Sequence, residues 1–476
     1  MTRPSERSRG AEPTRLAAYT LLRAVAEGAY ANLEMATVLR RRRLTGRDAA
    51  FATELAFGTI RLQGRYDAVI AEAAGRPTSA IDPQVLDVLR LGAHQLLGMR
   101  VATHAAADQT VGLARTVAGQ GAAGFVNAVM RRVSERDLDG WLDAVVPEGG
   151  GAAALAVRHS HPEWVVKALR AALLGHGRAS AETVDAELAA LLAVDNDPPR
   201  VSLVARPGLA TVAELVDAAD ATASRTSPIG AVLTSGDPGA IAAVREGRAA
   251  VQDEGSQLLA LALAAVDVAP GTPTRWLDLC AGPGGKSGVL GALAVAAGAD
   301  LVAVEVSPHR ADLVRATLGA LTVRAGELGR RVEVRTADGR EVGETEPAAY
   351  ARVLVDAPCT GLGALRRRPE ARWRRTPEDI ARLGPLQREL LRSALDAAAP
   401  GGVVAYATCS PHLAETRFVV DDVLRRRDDV ELVDARPFLT GPLGDPVPEL
   451  GEGPFVQLWP HVHGTDAMFL AVLRKG

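Results

Sequence analysis

The feature that most constrains the fold of this chain is an alternation of short apolar runs with helical patterns from about residue 250 onward. The runs lie at 276–280, 301–306, 332–334, 353–356 and 403–407. Between them, leucines recur at helical spacing, as at positions 383, 386 and 390. Strands that alternate with helices predict a parallel, doubly wound sheet. Because ligands bind such sheets beyond the carboxyl ends of the strands, the residues that end these runs are candidates for a site.

The first run leads into a glycine-rich turn. Its residues are Cys280, Ala281, Gly282, Pro283, Gly284, Gly285 and Lys286. A P-loop requires glycine where Cys280 stands, and the dinucleotide motif requires it where Ser287 stands. Glu305 nevertheless ends the next run 20 residues after Gly285, the usual place of a ribose-binding carboxylate. The pattern favours a nucleoside ligand without a pyrophosphate, of which S-adenosylmethionine is the commonest. The alternative is a purely structural turn.

Further strand ends also carry chemically active side chains. Asp338 follows the third run, Asp356 ends the fourth, and Cys409 follows the fifth, while Cys359 stands three residues after Asp356. Asp338 suits the adenine side of the pocket, although an Asp-Gly pair is also a common turn. A lone buried cysteine is often an inert apolar side chain. Two cysteines at consecutive strand ends beside a carboxylate instead favour a nucleophilic site.

Methylation at carbon 5 of cytosine requires this set of groups. Carbon 5 is too weak a nucleophile to take a methyl group directly, so a thiolate must first add to carbon 6. An acid must protonate ring nitrogen 3, or donate a hydrogen bond to it, and a base later removes the proton from carbon 5. One cysteine, one carboxylate and a nearby methyl donor are the minimum.

Three motifs resemble the Sun (NSUN-type) family of RNA cytosine-5 methyltransferases. They are the 280–286 turn, Asp356-Ala-Pro-Cys359-Thr-Gly-Leu-Gly363 and Tyr406-Ala-Thr-Cys409-Ser410, and the similarity covers about 160–476. The resemblance implies that Cys409 is the nucleophile, that Cys359 aids release of the product and that Asp356 contacts ring nitrogen 3. It also implies a site for S-adenosylmethionine, with Glu305 replacing a more usual aspartate. The residues implied in that site are Cys280, Ala281, Gly282, Pro283, Gly284, Gly285, Lys286, Glu305, Asp338 and Asp356.

The first part of the chain has a helical pattern throughout and resembles another family. Leu55-Ala-Phe-Gly-Thr59, Leu89-Arg-Leu-Gly92, Gln95-Leu-Leu97 and Gly124-Phe-Val-Asn127 are similar to the NusB family of all-α RNA-binding domains. A NusB-like domain joined to a Sun-type domain is similar to the bacterial family that methylates cytosine in 16S rRNA. The predicted fold is an all-α NusB-like domain followed by an α/β Rossmann-like methyltransferase domain with a doubly wound, mostly parallel sheet. The predicted partner is small-subunit rRNA.

Composition and breaker residues divide the chain into segments. Pro147-Glu-Gly-Gly-Gly151 marks a linker, and Val201-Ser-Leu-Val204 is a short strand in a mixed region. The predicted segments are a disordered tail at 1–12, the NusB-like domain at 13–146, a linker at 147–154, a small mixed α/β RNA-binding subdomain at 155–248 and the methyltransferase domain at 249–476.

Arginines cluster in a segment that follows Cys359. The predicted RNA-binding residues are Arg366, Arg367, Arg368, Arg372, Arg374 and Arg375, with Trp373 among them. Arginine beside an aromatic ring suits phosphate contact and base stacking. Lysine occurs only at positions 167, 286 and 475, so the many arginines also reflect a compositional bias. A solvated face is therefore the alternative for this cluster and for Arg40–Arg43.

Composition excludes several other classes of protein. The net charge of −3 is not that of a basic nucleic-acid clamp, so an RNA surface must be local. Three cysteines far apart form neither a metal knuckle nor a disulfide framework, which favours the cytoplasm. His461 and His463 lack a third metal ligand. The start of the chain has no apolar signal segment, and the apolar run at 258–266 is too short for a membrane span. We expect a cytoplasmic monomer with no metal and no membrane partner.

Two other functions compete with this interpretation. One is an RNA-binding or ribosome-assembly factor with an inactive methyltransferase domain, and the retained Cys359, Cys409 and Asp356 argue against it. The other is a DNA cytosine-5 methyltransferase, whose nucleophile would stand in the Pro-Cys loop at Cys359. The second cysteine and the NusB-like domain favour RNA.

Overall fold

The computed structural model describes residues 11–99 and 101–476. The chain divides into two compact units. Unit 1 comprises Met1–Lys167, Leu192–Pro198 and Leu365–Arg374, and unit 2 comprises Ala168–Leu191, Pro199–Ala364 and Arg375–Gly476. Of the tail predicted at 1–12, residues 1–10 lie outside the described part of the chain. Glu12 differs from that prediction, because its carboxylate accepts hydrogen bonds from the N–H groups of Thr14 and Arg15 and so caps the first helix.

The described residues of unit 1 form helices and the loops that join them, as predicted. Asp82 accepts hydrogen bonds from the N–H groups of Gln84 and Val85 at 2.8 and 3.3 Å, and Pro83 occupies the first turn. This is the expected start of a helix. The helices before the first strand are α1 Pro13–Ala26, α2 Ala31–Arg42, α3 Gly46–Arg61, α4 Gln63–Ala74, α5 Pro83–Ala93, α6 Thr103–Ala118, α7 Gln120–Val133, α8 Leu138–Val145, α9 Gly151–His159, α10 Glu163–Gly175 and α11 Val184–Val194.

Buried apolar side chains from α1 to α8 form the core of unit 1, among them Leu55, Leu89 and Val126. Unit 1 extends beyond the NusB-like domain predicted at 13–146. Helix α9 begins at Gly151, inside the segment predicted as a linker at 147–154, and contacts α4. The glycine run at 149–151 therefore does not end unit 1, because helix α9 follows the run directly and packs on α4 of unit 1.

Unit 2 contains two sheets, of which the smaller is antiparallel. Its elements are β1 Val201–Ala205, α12 Val212–Ala218, β2 Ala221–Ala223, β3 Gly230–Leu233, α13 Ala242–Arg245 and β4 Ala249–Val251. The strand order is β2-β3-β1-β4. Strand β1 confirms the short strand predicted at 201–204.

The larger sheet is mostly parallel. Its strands and the helices of unit 2 that follow the small sheet are α14 Glu254–Ala265, β5 Arg275–Asp278, α15 Gly285–Ala296, β6 Asp300–Glu305, α16 Pro308–Glu327, β7 Val332–Thr336, α17 Val342–Thr345, β8 Tyr350–Asp356, α19 Pro377–Ala397, β9 Ala398–Thr408, α20 Arg417–Leu424, β10 Val430–Val433, β11 Val456–Gln457, α21 Pro460–His463 and β12 Phe469–Lys475, whereas α18 Ala371–Arg374 belongs to unit 1. The order is β10-β12-β9-β8-β5-β6-β7, with β11 paired to β12. Strands β5 to β9 are parallel, and β12 runs antiparallel to β9.

The five predicted apolar runs became the five parallel strands because both faces of the sheet are covered. In β6, Leu301 and Ala303 belong to one hydrophobic core, while Val302 and Val304 belong to another. A strand buried on both faces has a continuous apolar sequence rather than an alternating one. The predicted doubly wound sheet is confirmed.

The pairing of β5 with its two neighbouring strands indicates where a ligand would bind the large sheet. Strand β5 pairs with β6 on one side and with β8 on the other, so the chain order reverses at this strand. A crevice opens at such a switch point, outside the carboxyl ends of the strands. The described residues include no helix that is long and apolar enough to cross a bilayer.

Candidate active site

Three adjacent strands bring the predicted catalytic residues to one edge of the large sheet. Asp356 ends β8 and stands opposite Ala407 of β9, so Cys409 follows at the end of the neighbouring strand. Cys280 follows β5, which pairs with the other side of β8. The thiols and the carboxylate that the sequence places after separate apolar runs therefore share one edge.

Lys286 and Asp356 form an ion pair at this edge. Lys286 lies in the first turn of α15, and its Nζ donates to Oδ2 of Asp356 at 2.8 Å. The Lys286 side chain is 11% exposed. Burial alone would lower the pKa of Lys286, but the Asp356 carboxylate, with a smaller contribution from Cys409, raises it above its usual value. Lys286 is therefore a cation at neutral pH, and its charge acts on both the carboxylate and the Cys409 thiol.

The two cysteines of the predicted site face each other. The Sγ atoms of Cys359 and Cys409 are 3.4 Å apart. The hydrogen bond with Cys409, followed by burial, raises the pKa of the Cys359 thiol well above its usual value. Cys359 is therefore a neutral thiol at neutral pH.

A buried carboxylate that the sequence analysis missed holds the two cysteine loops together. Glu415 is fully buried and accepts hydrogen bonds from the N–H of Thr360, at 2.8 Å, and from the Thr360 hydroxyl. That hydroxyl lies 3.3 Å from the hydroxyl of Ser410. Thr360 and Ser410 each follow a cysteine directly, so Glu415 is a positioning residue for both loops. The only signal for it in the sequence is an acidic residue in the polar stretch after β9.

Glu305 closes the glycine-rich turn on the other side of β5. Its two carboxylate oxygens accept hydrogen bonds from the N–H groups of Gly282 and Ser307, both at 3.0 Å, and its side chain is 3% exposed. A Cβ atom at Gly282 would lie 2.3 Å from Oε2 of Glu305, so a larger residue there would displace the Glu305 carboxylate. Gly284 has a φ of +105° directly before α15. The turn is thus a cradle of bare backbone at a helix N-terminus, which fits the polar groups of a nucleoside cofactor.

Asp278 is a further candidate that the sequence analysis missed. It ends β5, is 1% exposed, and its Oδ2 accepts a hydrogen bond from the Ser287 hydroxyl at 2.6 Å. Burial raises the pKa of Asp278 to about 7; the Ser287 hydrogen bond opposes this shift and the Asp356 charge adds to it. Its only signal in the sequence is a carboxylate inside an apolar run, two residues before Cys280.

Asp338 lies on the far side of the cofactor turn from the cysteines. It follows β7, which is separated from β5 by β6. Its carboxylate pairs with Arg340 at 2.6 Å and accepts a hydrogen bond from the Arg340 N–H at 3.0 Å. The sheet order therefore does not bring Asp338 to the group of Lys286, Asp356 and the cysteines.

Comparisons with known proteins identify both parts of the chain. The family described as 16S rRNA methyltransferase RsmB/F matches residues 265–474, and the NusB family matches residues 12–135. The proteins MT1451 and Rv1407 of two strains of Mycobacterium tuberculosis are 51% identical to the chain, over 98% of each length. Ribosomal RNA small subunit methyltransferase B of Pseudomonas syringae is 33% identical, and the match covers 97% of this chain and 96% of that protein. The chain belongs to the RsmB family.

This RsmB-family chain is a methyltransferase, as its motifs predict, and both predicted family resemblances are confirmed. The crystal structure of PH0851 has a TM-score of 0.77 to the chain at 21% identity, covering 98% of this chain and 99% of that one. That likeness shows a common fold. None of these matches favours the alternative of an assembly factor with an inactive methyltransferase domain.

The arginine-rich segment of the RsmB-family chain contains a residue that does not agree with the predicted RNA contact. Arg372 is fully buried in unit 1, and burial lowers its pKa to about 9. Its guanidinium donates to the backbone carbonyls of Arg61, Ser160 and Asp195 at 3.2, 3.0 and 2.9 Å, and to Oδ1 of Asn196 at 2.8 Å. Arg372 therefore holds converging carbonyl groups of unit 1 and is not accessible to a phosphate.

The two residues that follow Arg372 also donate hydrogen bonds to backbone carbonyls of unit 1. Trp373 donates from Nε1 to the carbonyl of Ile60 at 2.7 Å. Arg374 donates to the carbonyl of Ala29 at 2.6 Å and lies over the ring of Tyr30.

The remaining arginines of the segment are partly exposed. Arg375, in unit 2, donates to the carbonyl of Thr360 at 3.2 Å, next to Cys359. Arg366, Arg367 and Arg368 are half-buried. RNA contact stays a prediction for these residues.

Proposed function

We propose that the chain transfers a methyl group from S-adenosylmethionine to carbon 5 of a cytosine in RNA, and that this RNA is 16S rRNA. The observation that carries the proposal is the contact of two thiols at 3.4 Å beside the Lys286–Asp356 ion pair. A cytosine needs a thiolate for carbon 6 and a proton-bearing group for nitrogen 3, and this edge of the sheet offers both.

The proposed reaction starts with a bond between Sγ of Cys409 and carbon 6 of the cytosine. The cationic Lys286 favours the thiolate form of Cys409 by charge. Asp356 contacts ring nitrogen 3, and the Lys286 ammonium passes a proton through the Asp356 carboxyl group to that nitrogen as the adduct forms. Carbon 5 then has the electron density needed to accept a methyl group.

The cofactor would be held on the other side of β5. S-adenosylmethionine supplies an electrophilic methyl group when it is bound. The residues that would hold it are 280–286, Glu305, Asp338 and Asp356. The glycine cradle and the buried Glu305 support this assignment.

In the release step a base passes the carbon 5 proton to solvent water, the electron pair of that C–H bond forms the bond between carbons 5 and 6, and the Cys409 sulfur leaves carbon 6. We assign assistance in release to Cys359, because its sulfur lies 3.4 Å from the one that we propose forms the adduct. Elimination then regenerates the Cys409 thiolate and leaves 5-methylcytosine.

Two observations support RNA as the substrate. Residues 12–135 match the NusB family, and the sequence resemblance to that family implies an RNA-binding domain. A relative with 33% identity is named ribosomal RNA small subunit methyltransferase B. Because the net charge is −3, we expect the RNA surface to be local. Arg366, Arg367, Arg368 and Arg375 remain the candidate contacts.

Transfer of radiolabel to rRNA tests the proposal. The purified chain is incubated with methyl-labelled S-adenosylmethionine and, in separate reactions, with small-subunit rRNA from a deletion strain or with DNA. Bisulfite sequencing locates the product. We expect label in RNA, one new protected cytosine, and no label with Cys409→Ala. Binding of the cofactor without labelling of RNA or DNA would support the inactive-domain alternative. Labelling of DNA alone would support the DNA enzyme.

A further inference from the structure

We propose that Cys359 and Cys409 form a reversible disulfide when the enzyme meets a peroxide, and that this bond turns methyl transfer off. The formation of the bond rests on the geometry of the two loops. Its effect on activity rests on the proposed function, in which Cys409 is the nucleophile.

The sulfur atoms of the two thiols are in direct contact. Their Sγ atoms are 3.4 Å apart. A disulfide has a length of about 2.05 Å, so the gap to be closed is roughly 1.4 Å. Rotation of one side chain about its Cα–Cβ bond moves a sulfur atom by more than this distance.

Hydrogen bonds fix the two loops directly beside the thiols. Thr360 and Ser410, the residues after the two cysteines, have hydroxyl groups 3.3 Å apart, and the buried Glu415 accepts from the Thr360 N–H. The carbonyl of Cys409 accepts a hydrogen bond from the N–H of Gly363 at 2.9 Å, which ties the second loop back to the first. The pairing of the thiols is therefore built into the fold and does not depend on a chance encounter.

The two thiols divide the two steps of oxidation, with attack by Cys409 on the peroxide and closure of the disulfide by Cys359. Cys359 and Cys409 are partly exposed, and the cation of Lys286 acts on Cys409. Oxidation starts at a thiolate that solvent can reach and ends quickly where a second thiol is close. Cys280 is the third cysteine, and burial raises the pKa of its thiol well above the usual value, with Asp278 and Asp356 adding to the shift. It serves as an internal reference for a thiol outside the Cys359–Cys409 pair.

The chemical step balances with one peroxide. The Cys409 thiolate attacks one peroxide oxygen, the O–O bond breaks, and the departing hydroxide takes up a proton to become water. The Cys359 thiol then attacks the sulfenic sulfur of Cys409, so that an S–S bond forms, the S–O bond breaks and a second water leaves with the thiol proton. Two thiols lose two electrons, and hydrogen peroxide is reduced to two waters. An external dithiol reverses the bond by exchange.

Peptide mass spectrometry of the full chain tests the bond directly, because trypsin places the three cysteines in separate peptides. These peptides are 276–286, 353–366 and 393–417. The reduced chain is titrated with hydrogen peroxide and then blocked with N-ethylmaleimide. We expect a linked pair of 353–366 and 393–417, two hydrogen atoms lighter than the sum of the reduced peptides, that disappears with dithiothreitol. The peptide of Cys280 should carry the maleimide.

Three variants serve as controls. Cys359→Ala and Cys409→Ala should lose the linked pair, whereas Cys280→Ser should keep it. Sulfinic acid on Cys409 without any linked pair, a link to Cys280, or a link between two chains would overturn the proposal.

Methyl transfer measured on the same samples separates this proposal from the proposed function. Activity should fall in proportion to the linked fraction and return with dithiothreitol. Complete linkage with full activity would reject Cys409 as the nucleophile while the disulfide stands. A reduced chain that never labels RNA would reject the proposed function and leave the mass result unaffected.

Discussion

The carboxyl edge of the large sheet and the segment at 365–374 are both rich in charged side chains. The two regions differ in the partners of those side chains. At the sheet edge, Lys286 and Asp356 bond to each other, and two partly exposed thiols face one another. In the segment, Arg372 is fully buried and gives its hydrogen bonds to carbonyl groups of unit 1. The sheet edge therefore presents reactive groups beside a crevice. In the 365–374 segment, the Arg372 guanidinium instead donates hydrogen bonds to backbone carbonyls of unit 1.

This difference shows what decides whether a polar cluster can serve a ligand. A guanidinium that already satisfies several buried carbonyls is costly to withdraw, because each carbonyl would be left without a partner. Side chains at the ends of parallel strands are held by the sheet itself and keep their reactive atoms beside the crevice. Predictions that alter each region in turn can test this contrast.

The largest effect is expected from Arg372→Ala. Removing the guanidinium leaves buried carbonyls without donors, so the free energy of unfolding should fall by about 3–5 kcal/mol. Urea unfolding measures the change. The control is Arg382→Ala, whose side chain is 72% exposed and should contribute less than about 1 kcal/mol. If both variants are equally stable, Arg372 is not structural and the contrast between the regions fails.

Asp278 should make stability depend on pH. Its raised pKa means that the folded chain keeps a proton that the unfolded chain releases, so the associated stability is present below about pH 4 and is lost as pH rises through about 7. This shift in the pKa of Asp278 corresponds to a loss of about 4 kcal/mol in the free energy of unfolding as the pH rises from about 4 to about 7. Unfolding measured between pH 4 and 8 should therefore have a flatter profile in Asp278→Asn. Asp312→Asn, at a carboxylate that is 73% exposed, should keep the slope of the unaltered chain. A steeper profile in Asp278→Asn would contradict the assignment.

Glu305→Ala tests the cofactor side of the sheet edge. Loss of charge-assisted hydrogen bonds to a ribose should weaken binding of S-adenosylhomocysteine by about 2–3 kcal/mol, roughly 30- to 150-fold. Calorimetry measures the affinity. Glu327→Ala, at a carboxylate that is 56% exposed, is the matched control. Unchanged affinity in Glu305→Ala would remove Glu305 from the cofactor site.

The smallest effect is expected from the half-buried arginines that remain candidates for RNA contact. The double variant Arg367→Ser and Arg368→Ser should reduce the slope of log affinity against log salt by up to about 2, since each phosphate contact contributes about 0.9. Titration of rRNA at several salt concentrations measures the slope, with Arg382→Ser as the control. An unchanged slope would mean that these residues form a solvated face.

The sequence was sufficient to predict the parallel sheet and to place Lys286, Asp356 and the cysteines at its edge. An apolar run has a strand length and a carboxyl end that can be read directly, and topology then brings those ends together. The five runs, the cap at Asp82 and the strand at 201–204 are all found in the structure.

Contacts between residues that are distant in sequence could not be predicted in this way. Arg372 is separated from Arg61 by more than three hundred residues, and nothing in either neighbourhood indicates that the carbonyls converge on it. Glu415 and Asp278 act by burial and by partners on other elements, whereas a sequence displays only their charge. In the sequence, Arg372 therefore resembles part of an RNA surface, whereas in the structure its hydrogen bonds go to carbonyl groups of unit 1.

Trapping of RNA by the two cysteine variants tests the central claim, which is that Cys409 attacks and Cys359 releases. Each variant is incubated with substrate RNA and S-adenosylmethionine, and the products are separated on a denaturing gel. Cys359→Ala should accumulate a covalent protein–RNA species, because attack proceeds and release is slowed, whereas Cys409→Ala should form none and should have no turnover. A covalent species in Cys409→Ala and none in Cys359→Ala would reverse the two roles and contradict the account.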